Sequence, residues 1–254
     1  MIQAVTTRVL ANPPQPSLQN PGVEAILNLW VLSLQRRRVD SPLTDADRAA
    51  LKRLWELQIG EGETKGAWPW FDFDLHPVES ERSTFYGAAL AAAALTVYPP
   101  AASPAAGLAS LQTYLQHEAP RQPLHNRLAW MADAAVRQQT LADLWSAQSS
   151  DGGWTTAALG PWAAHPDAPA DPGSNAYTTA WAAHAARQAG VPCADAKLQK
   201  ALRWLETKQD RATGSWPSPS MNKVFEKGSI QAGFMTDMAS GFATAALSSC
   251  AAAN

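Results

Sequence analysis

Three segments of this 254-residue chain repeat one pattern, and an internal repeat limits the choice of fold more than any other feature. In each segment, a helix-like stretch that carries a tryptophan leads to a glutamine, and a glycine-containing turn then closes on another tryptophan. The glutamines are Gln58, Gln148 and Gln209, and the closing tryptophans are Trp68, Trp154 and Trp216. A loop and then a helix-like run of small residues follow each turn. Because one helical hairpin cannot bury its own apolar face, the repeat predicts a series of packed hairpins.

The chemistry of these residues suggests a structural role. A glutamine at the C-terminus of a helix can bond carbonyl groups that have no intrahelical partner. A glycine permits the left-handed backbone that ends a helix. The closing tryptophan can then fix one hairpin to the next. We therefore predict that the glutamines and tryptophans of the repeat stabilise the fold and take no part in catalysis.

Composition favours packed helices and argues against several functions. Alanine, the best helix former, supplies 50 residues, and β-branched residues never alternate as in a half-buried strand. Proteins that bind nucleic acids usually carry an excess of basic residues, whereas this chain has a net charge of -2, so we predict no nucleic-acid partner. No run of about 18 apolar residues predicts a membrane span, and no signal peptide is evident. Cys193 and Cys250 show neither metal-ligand spacing nor a disulfide framework, so we expect two incidental thiols.

Apolar periodicity predicts helices throughout the chain and no strand. Residues 1–20 are proline-rich and aperiodic, and we expect a poorly ordered N-terminal arm followed by one domain over 21–254. Thr44 and Asp47 have the spacing of a capping box at the start of a helix. The predicted helices are 22–37, 45–58, 80–97, 104–117, 123–137, 138–148, 174–189, 195–208 and 233–248.

The segment QSSDGGW at 148–154 resembles the QW motif of class II terpene cyclases such as squalene–hopene cyclase. The segments at 209–216 and 58–68 are looser matches, and the resemblance covers about residues 45–250. The same superfamily includes the oxidosqualene cyclases and the β subunits of protein prenyltransferases. The resemblance implies an all-α fold, an α/α toroid (barrel) of helical hairpins. Our count of inner and outer helices falls short of a closed toroid, which suggests an incomplete ring that dimerisation or the N-terminal arm could complete.

Class II terpene cyclases protonate an alkene or epoxide with an aspartic acid of a DxDD motif, and this chain has no such motif. The most similar segment is Asp72-Phe73-Asp74-Leu75, which has leucine in place of the last aspartate of the motif. Asp237 precedes a small-residue helix, as the catalytic acid of the family does. The resemblance therefore implies Asp237 as the general acid, with Glu81 or Glu79 as hydrogen-bonding neighbours.

The other predicted site residues cluster at the starts of the inner helices and in an aromatic tract. Their faces would line a cavity and stabilise cations formed during cyclisation. They are Tyr86, Tyr177, Trp181, Phe242, Asn175, His125 and Trp70. No cofactor and no metal are predicted, because no aspartate stands two residues before Cys193, as the resemblance to the zinc-binding prenyltransferase β subunits would require.

The sequence thus favours a cytoplasmic enzyme that cyclises a linear, apolar isoprenoid, with peripheral membrane contact and a homodimer left open. One alternative is a non-catalytic binding or scaffold toroid, since the fold also resembles the thioester domain of complement proteins. Another is an α/α-barrel carbohydrate-active enzyme that stacks sugars on tryptophans and uses paired acids.

Overall fold

The computed structural model describes residues 1–11, 20–38, 41–80, 82–160, 166–168 and 173–251. Over these residues the regular structure consists of eleven α-helices and two short 3-10 turns, with no strand. The prediction of an all-α fold is therefore confirmed. The chain divides into two compact units. The first consists of Met1–Asp74 and Val78–Gln122, and the second of Leu75–Pro77 and Pro123–Asn254. None of the described helices is long and apolar enough to cross a membrane.

In the part of the first unit that the structure describes, five α-helices surround a core of aliphatic and aromatic side chains. They are α1 (Ile2–Ala11), α2 (Pro21–Arg36), α3 (Asp45–Glu56), α4 (Ser83–Leu95) and α5 (Ala105–Glu118). Helix α2 packs against α1, α3 and α4, and α4 packs against α5. The capping box that starts α3 is present, since the Thr44 hydroxyl accepts from the Asp47 N–H and the Asp47 carboxylate accepts from the Thr44 N–H. The fully buried side chains include Ile26, Leu29, Leu54 and Phe85.

Among its described residues, the second unit contains six helices. They are α6 (Leu124–Arg127), α7 (Ala134–Ser146), α8 (Thr156–Leu159), α9 (Ala176–Gln188), α10 (Ala196–Lys208) and α11 (Ile230–Ala251). Helix α9 packs against both α10 and α11. The face of α11 that is buried consists of Ala239, Ala243, Ala246 and Cys250, at helical spacing. Small residues at these positions allow a close approach of the two helices.

The structure corrects several helix predictions. The predicted boundary between the helices 123–137 and 138–148 is wrong, because α7 runs without a break through it, and α8 lies where no helix was predicted. Residues 2–11 of the expected arm form α1, whose Arg8 side chain donates to the Glu24 carboxylate, while residues 12–19 lie outside the described part of the chain. The single helix predicted over 123–137 is interrupted, because Asp133 has extended backbone and its carboxylate caps α7 by accepting from two backbone N–H groups. The inner helix expected near residue 123 is therefore only the four-residue α6.

The repeats at 58–68, 148–154 and 209–216, here called Gln–Trp turns 1, 2 and 3, share one hydrogen-bond geometry. In each, the closing indole Nε1 donates to the carbonyl of the leucine four residues before the glutamine. These bonds join Trp68 to Leu54 at 2.6 Å, Trp154 to Leu144 at 2.9 Å and Trp216 to Leu205 at 2.7 Å. The glutamine Nε2 donates to the carbonyl of the turn glycine, at 2.9 Å for Gln58 and Gly66, 2.8 Å for Gln148 and Gly152, and 2.9 Å for Gln209 and Gly214.

These contacts confirm the expected glycine role and refine the glutamine role. The turn glycines have φ values of 96°, 98° and 74°, in the left-handed region that favours glycine. The helix carbonyl is bonded by the indole, however, whereas the glutamine bonds the turn. The indole therefore satisfies a carbonyl at the helix end, and the glutamine satisfies a carbonyl of the turn.

The first two turns also attach the helix that precedes each turn to a later helix. Gln58 Nε2 donates to Gly107 O in the first turn of α5, and Gln148 Nε2 donates to Lys197 O in the first turn of α10, each at 3.0 Å. A Cβ at Gly66 would lie 2.3 Å from Ser110 O, so the turn backbone presses directly on α5. The equivalent contact joins Gly152 to Lys200 of α10.

The expectation of two incidental thiols is wrong, because Cys193 and Cys250 form a disulfide with a Cα–Cα distance of 5.5 Å. The bond joins the connection between α9 and α10 to the last turn of α11. Beside it, Arg187 Nε donates to Ser249 Oγ at 3.2 Å. The far end of α11 is therefore attached both covalently and through a hydrogen bond. A separation of 57 residues with no spacing motif hid the pair in the sequence.

Candidate functional site

A cluster of aromatic and histidine side chains lies in the second unit, where α6, α9 and α11 contribute to it. Tyr177, Trp181 and His184 occur at spacings of four and three residues on α9, so helical geometry places them on one face. His125 comes from α6 and Phe242 from α11. The five residues are called the aromatic wall below. Four of them were predicted as binding residues, and the structure brings those four together.

The wall has a fully buried polar layer. His125 Nε2 lies 2.7 Å from the Tyr177 hydroxyl, and His125 Nδ1 lies 3.0 Å from Asn126 Oδ1. With the amide oxygen as acceptor, Nδ1 carries the proton and Nε2 accepts from the tyrosine. His125 and Tyr177 are 0% and 1% exposed. The Trp181 indole N–H donates to the His125 carbonyl at 3.1 Å, which holds the two helices together at this point.

A half-buried layer of rings lies next to these residues. The Phe242 ring centroid is 4.8 Å from that of Trp181 and 5.4 Å from that of His184. Phe242 and His184 are half-buried, whereas Trp181 is buried. The Phe242–Trp181 pair is tilted and the Phe242–His184 pair is stacked, and the faces of such aromatic rings are apolar and attract cations. The wall can therefore contact an apolar ligand through Phe242 and His184.

Burial keeps the wall uncharged at neutral pH. Desolvation lowers the pKa of His125 to about 4, and the hydrogen bond to Asn126 opposes this effect without reversing it. Burial likewise lowers the pKa of His184 to about 4. Both imidazoles are neutral at pH 7, so the wall consists of uncharged rings and the Tyr177 hydroxyl and carries no cation.

Asn175 belongs to the same unit but has a local structural role. Its Oδ1 accepts from the Thr178 N–H at 2.9 Å and thereby caps α9, and its Nδ2 donates to Thr156 Oγ1 at 2.7 Å. The cap fixes the start of the helix that carries the wall. Asn175 therefore positions Tyr177 and Trp181, and its assignment as a binding residue stays a prediction.

Trp70 and Tyr86 form a separate pair in the first unit. Their ring centroids lie 6.2 Å apart in an edge-on arrangement, and Trp70 Nε1 donates to Val78 O at 2.7 Å. A Cβ at Gly87 would lie 2.2 Å from the Trp70 ring, so the indole rests on the backbone of α4. Burial raises the pKa of Tyr86 and keeps its hydroxyl protonated.

The three predicted acids differ in environment. Asp237 is exposed on α11, five residues before Phe242. Glu79 is half-buried in the first unit, and burial raises its pKa. Glu81 lies outside the described residues. The assignment of all three as catalytic residues stays a prediction.

Sequence reasoning left His184 out of the binding set. The signal that could have found it is its position three residues after Trp181 on a predicted helix, which is the spacing of side-chain neighbours. The contact between His125 and Tyr177 could not be read in the same way, because 52 residues separate them.

Comparison of the chain with protein-family models, curated proteins and solved structures finds no match.

Proposed function

We propose that this chain is an α/α-toroid protein of the terpene-cyclase type that binds a linear isoprenoid on the aromatic wall. The observation that carries the proposal is the wall itself, in which a neutral, fully buried His125–Tyr177 pair underlies the half-buried rings of Phe242 and His184. An apolar chain would gain contact with ring faces, and the uncharged histidines would not repel it.

The toroid part of this proposal rests on the hairpin series and on the family resemblance. Successive helices at the Gln–Trp turns are joined by the same side-chain bonds, as expected of stacked repeats that each contact their neighbours. At each Gln–Trp turn, a helix that ends in the turn (α3, α7 or α10) alternates with a later helix rich in small residues (α4, α9 or α11). This alternation is the order of outer and inner helices that a toroid requires.

Turnover of the bound isoprenoid requires an acid as well as a wall. Asp237 is the predicted general acid and lies on the same helix as Phe242. Glu79 belongs to the first unit, and burial raises its pKa, so its role as a neighbour of that acid stays a prediction. A non-catalytic binding toroid needs neither acid, and the exposure of Asp237 favours that alternative. A carbohydrate-active enzyme needs two acids together, and neither unit alone supplies both Glu79 and Asp237.

Ligand binding is tested first, by titrating the purified chain with farnesol, geranylgeraniol, squalene and squalene epoxide and following tryptophan fluorescence. Phe242→Ala removes one ring of the wall, and we expect roughly a tenfold weaker affinity, since an aromatic contact is worth about 1 kcal/mol beyond its area. Phe234→Ala is the matched control, because it removes the same side chain from an exposed site on the same helix. Equal losses in both variants, or no binding of any isoprenoid, would contradict the proposal.

Turnover is tested on the same panel by gas chromatography–mass spectrometry of extracts, with Asp237→Asn and Glu79→Gln in parallel. A cyclised product that only one of these variants abolishes identifies the acid. Binding without product from the wild-type chain would support the binding toroid and reject the cyclase. Because the two measurements are separate, failure of catalysis leaves the binding result intact.

A further inference from the structure

Gln–Trp turn 3 has the same glutamine and left-handed glycine with which turns 1 and 2 contact a later helix. Among the described residues, no helix contacts these two residues of turn 3. Gln58 and Gln148 each donate two hydrogen bonds, one within the turn and one to the first turn of a later helix. Gln209 is exposed and donates only to Gly214 O. No atom would lie within 4 Å of a Cβ at Gly214, in contrast to the tight contact at Gly66.

The start of α11 gives a second and independent indication. Ile230 and Phe234 are 78% and 55% exposed, and their spacing of four residues places them on one face of the helix. The first buried residue of α11 is Ala239, so more than two turns of the helix precede its packed part. Terminal repeats of stable arrays usually present a polar outer face, and this one presents isoleucine and phenylalanine.

The other end of the hairpin series offers a surface of matching character. Helices α1 and α2 form the first hairpin, and they expose Leu10, Leu27 and Leu34. Leu27 and Leu34 are seven residues apart and so share a face of α2. The occupants of turns 1 and 2 are the first turns of α-helices, and the first turn of α1 would give Gln209 the same kind of carbonyl acceptor.

We propose that turn 3 and the start of α11 form an end surface that docks the α1–α2 hairpin of a second copy of this chain. The interface is heterologous, since different surfaces of the two copies meet. It would give the spare N–H of Gln209 an acceptor and cover Ile230 and Phe234 with leucines. The inference needs the hairpin series alone and holds whether or not the aromatic wall binds an isoprenoid.

Sedimentation velocity and light scattering over about a hundredfold range of concentration test self-association. The double variant Ile230→Glu/Phe234→Glu should weaken it by at least tenfold, since burying charges in an apolar contact costs more than about 1.4 kcal/mol. Val224→Glu is the matched control, because Val224 is an apolar residue of the same unit that is 75% exposed and outside the end surface. Circular dichroism checks that each variant is folded.

A mixing experiment distinguishes this head-to-tail contact from a symmetric one. Leu27→Glu/Leu34→Glu should disrupt association from the opposite surface. A mixture of the two double variants should restore a dimer, because each contributes the surface that the other lacks. A wild-type chain that is monomeric at every concentration would overturn the proposal, as would self-association that Val224→Glu weakens equally or a mixture that stays monomeric.

Discussion

Removal of the Cys193–Cys250 disulfide should destabilise the second unit strongly. The bond closes a loop across a sequence separation of 57 residues, and such a loop restricts the unfolded chain. Loop-closure entropy for this length corresponds to about 4 kcal/mol of stability at 25 °C. The fully buried residues of α11 other than Cys250 are alanines, whose burial contributes little apiece, and Phe242 supplies the large side chain that contacts α9.

The prediction is measured by thermal and urea unfolding of Cys193→Ser/Cys250→Ser beside the oxidised wild-type chain. At about 2–4 °C for each kcal/mol in a chain of this size, we expect the Tm to fall by about 8–16 °C. Hydrogen exchange should show the largest loss of protection in α11, because Cys250 lies in its last turn.

The reduced wild-type chain is the control, since it removes the bond without changing side-chain volume. It should match the double variant closely. A midpoint that stays within about 2 °C of the oxidised chain would refute the reasoning, because it would mean that the loop closed by the bond is already restricted without it.

Three further predictions concern the turns and the wall. Gln148→Ala should cost about twice as much stability in urea unfolding as Gln209→Ala, since Gln148 donates two hydrogen bonds worth about 1 kcal/mol each and Gln209 donates one; equal costs would contradict the docking role. Gly66→Ala should cost more than Gly214→Ala, because both strain a left-handed turn by about 1 kcal/mol but only Gly66 faces Ser110 O at 2.3 Å; circular dichroism melts decide the order. As the pH is lowered from about 6.5 to 4, the free energy of unfolding should decrease, because His125 takes up a proton in the unfolded chain but not in the folded one, where burial lowers its pKa to about 4. The slope of unfolding free energy against pH should be smaller in His125→Asn. An unchanged slope would contradict the burial argument.

The helices were largely predictable because their signals are local. The Thr44 capping box and the alanine-rich runs predicted α3, α4 and α9 to within a few residues. The interruption of 123–137 was missed, since apolar spacing continued through Asp133 although that residue is a strong N-cap. Helix α1 was missed because the prolines of the arm outweighed the helical spacing of Ile2, Val5 and Val9.

The site was predictable only as a set of residue types. Helix periodicity could place Tyr177 and Trp181 on one face, but it could not pair either with His125. That pairing depends on how α6 packs, and a four-residue helix leaves almost no periodic signal. The disulfide has the same origin, because contacts between distant residues carry no spacing pattern.

The three Gln–Trp turns keep the same anchoring bonds although their lengths differ. Trp68 follows its glutamine by ten residues, Trp154 by six and Trp216 by seven, and each indole still reaches the leucine carbonyl four residues before the glutamine. The helices are therefore positioned by the two ends of each turn, and the residues between them are free to vary in number. In turn 1 the residues from Gly60 to Glu63 are exposed, which makes that stretch a natural insertion point where an epitope or a small domain could be grafted without moving α3 or α5.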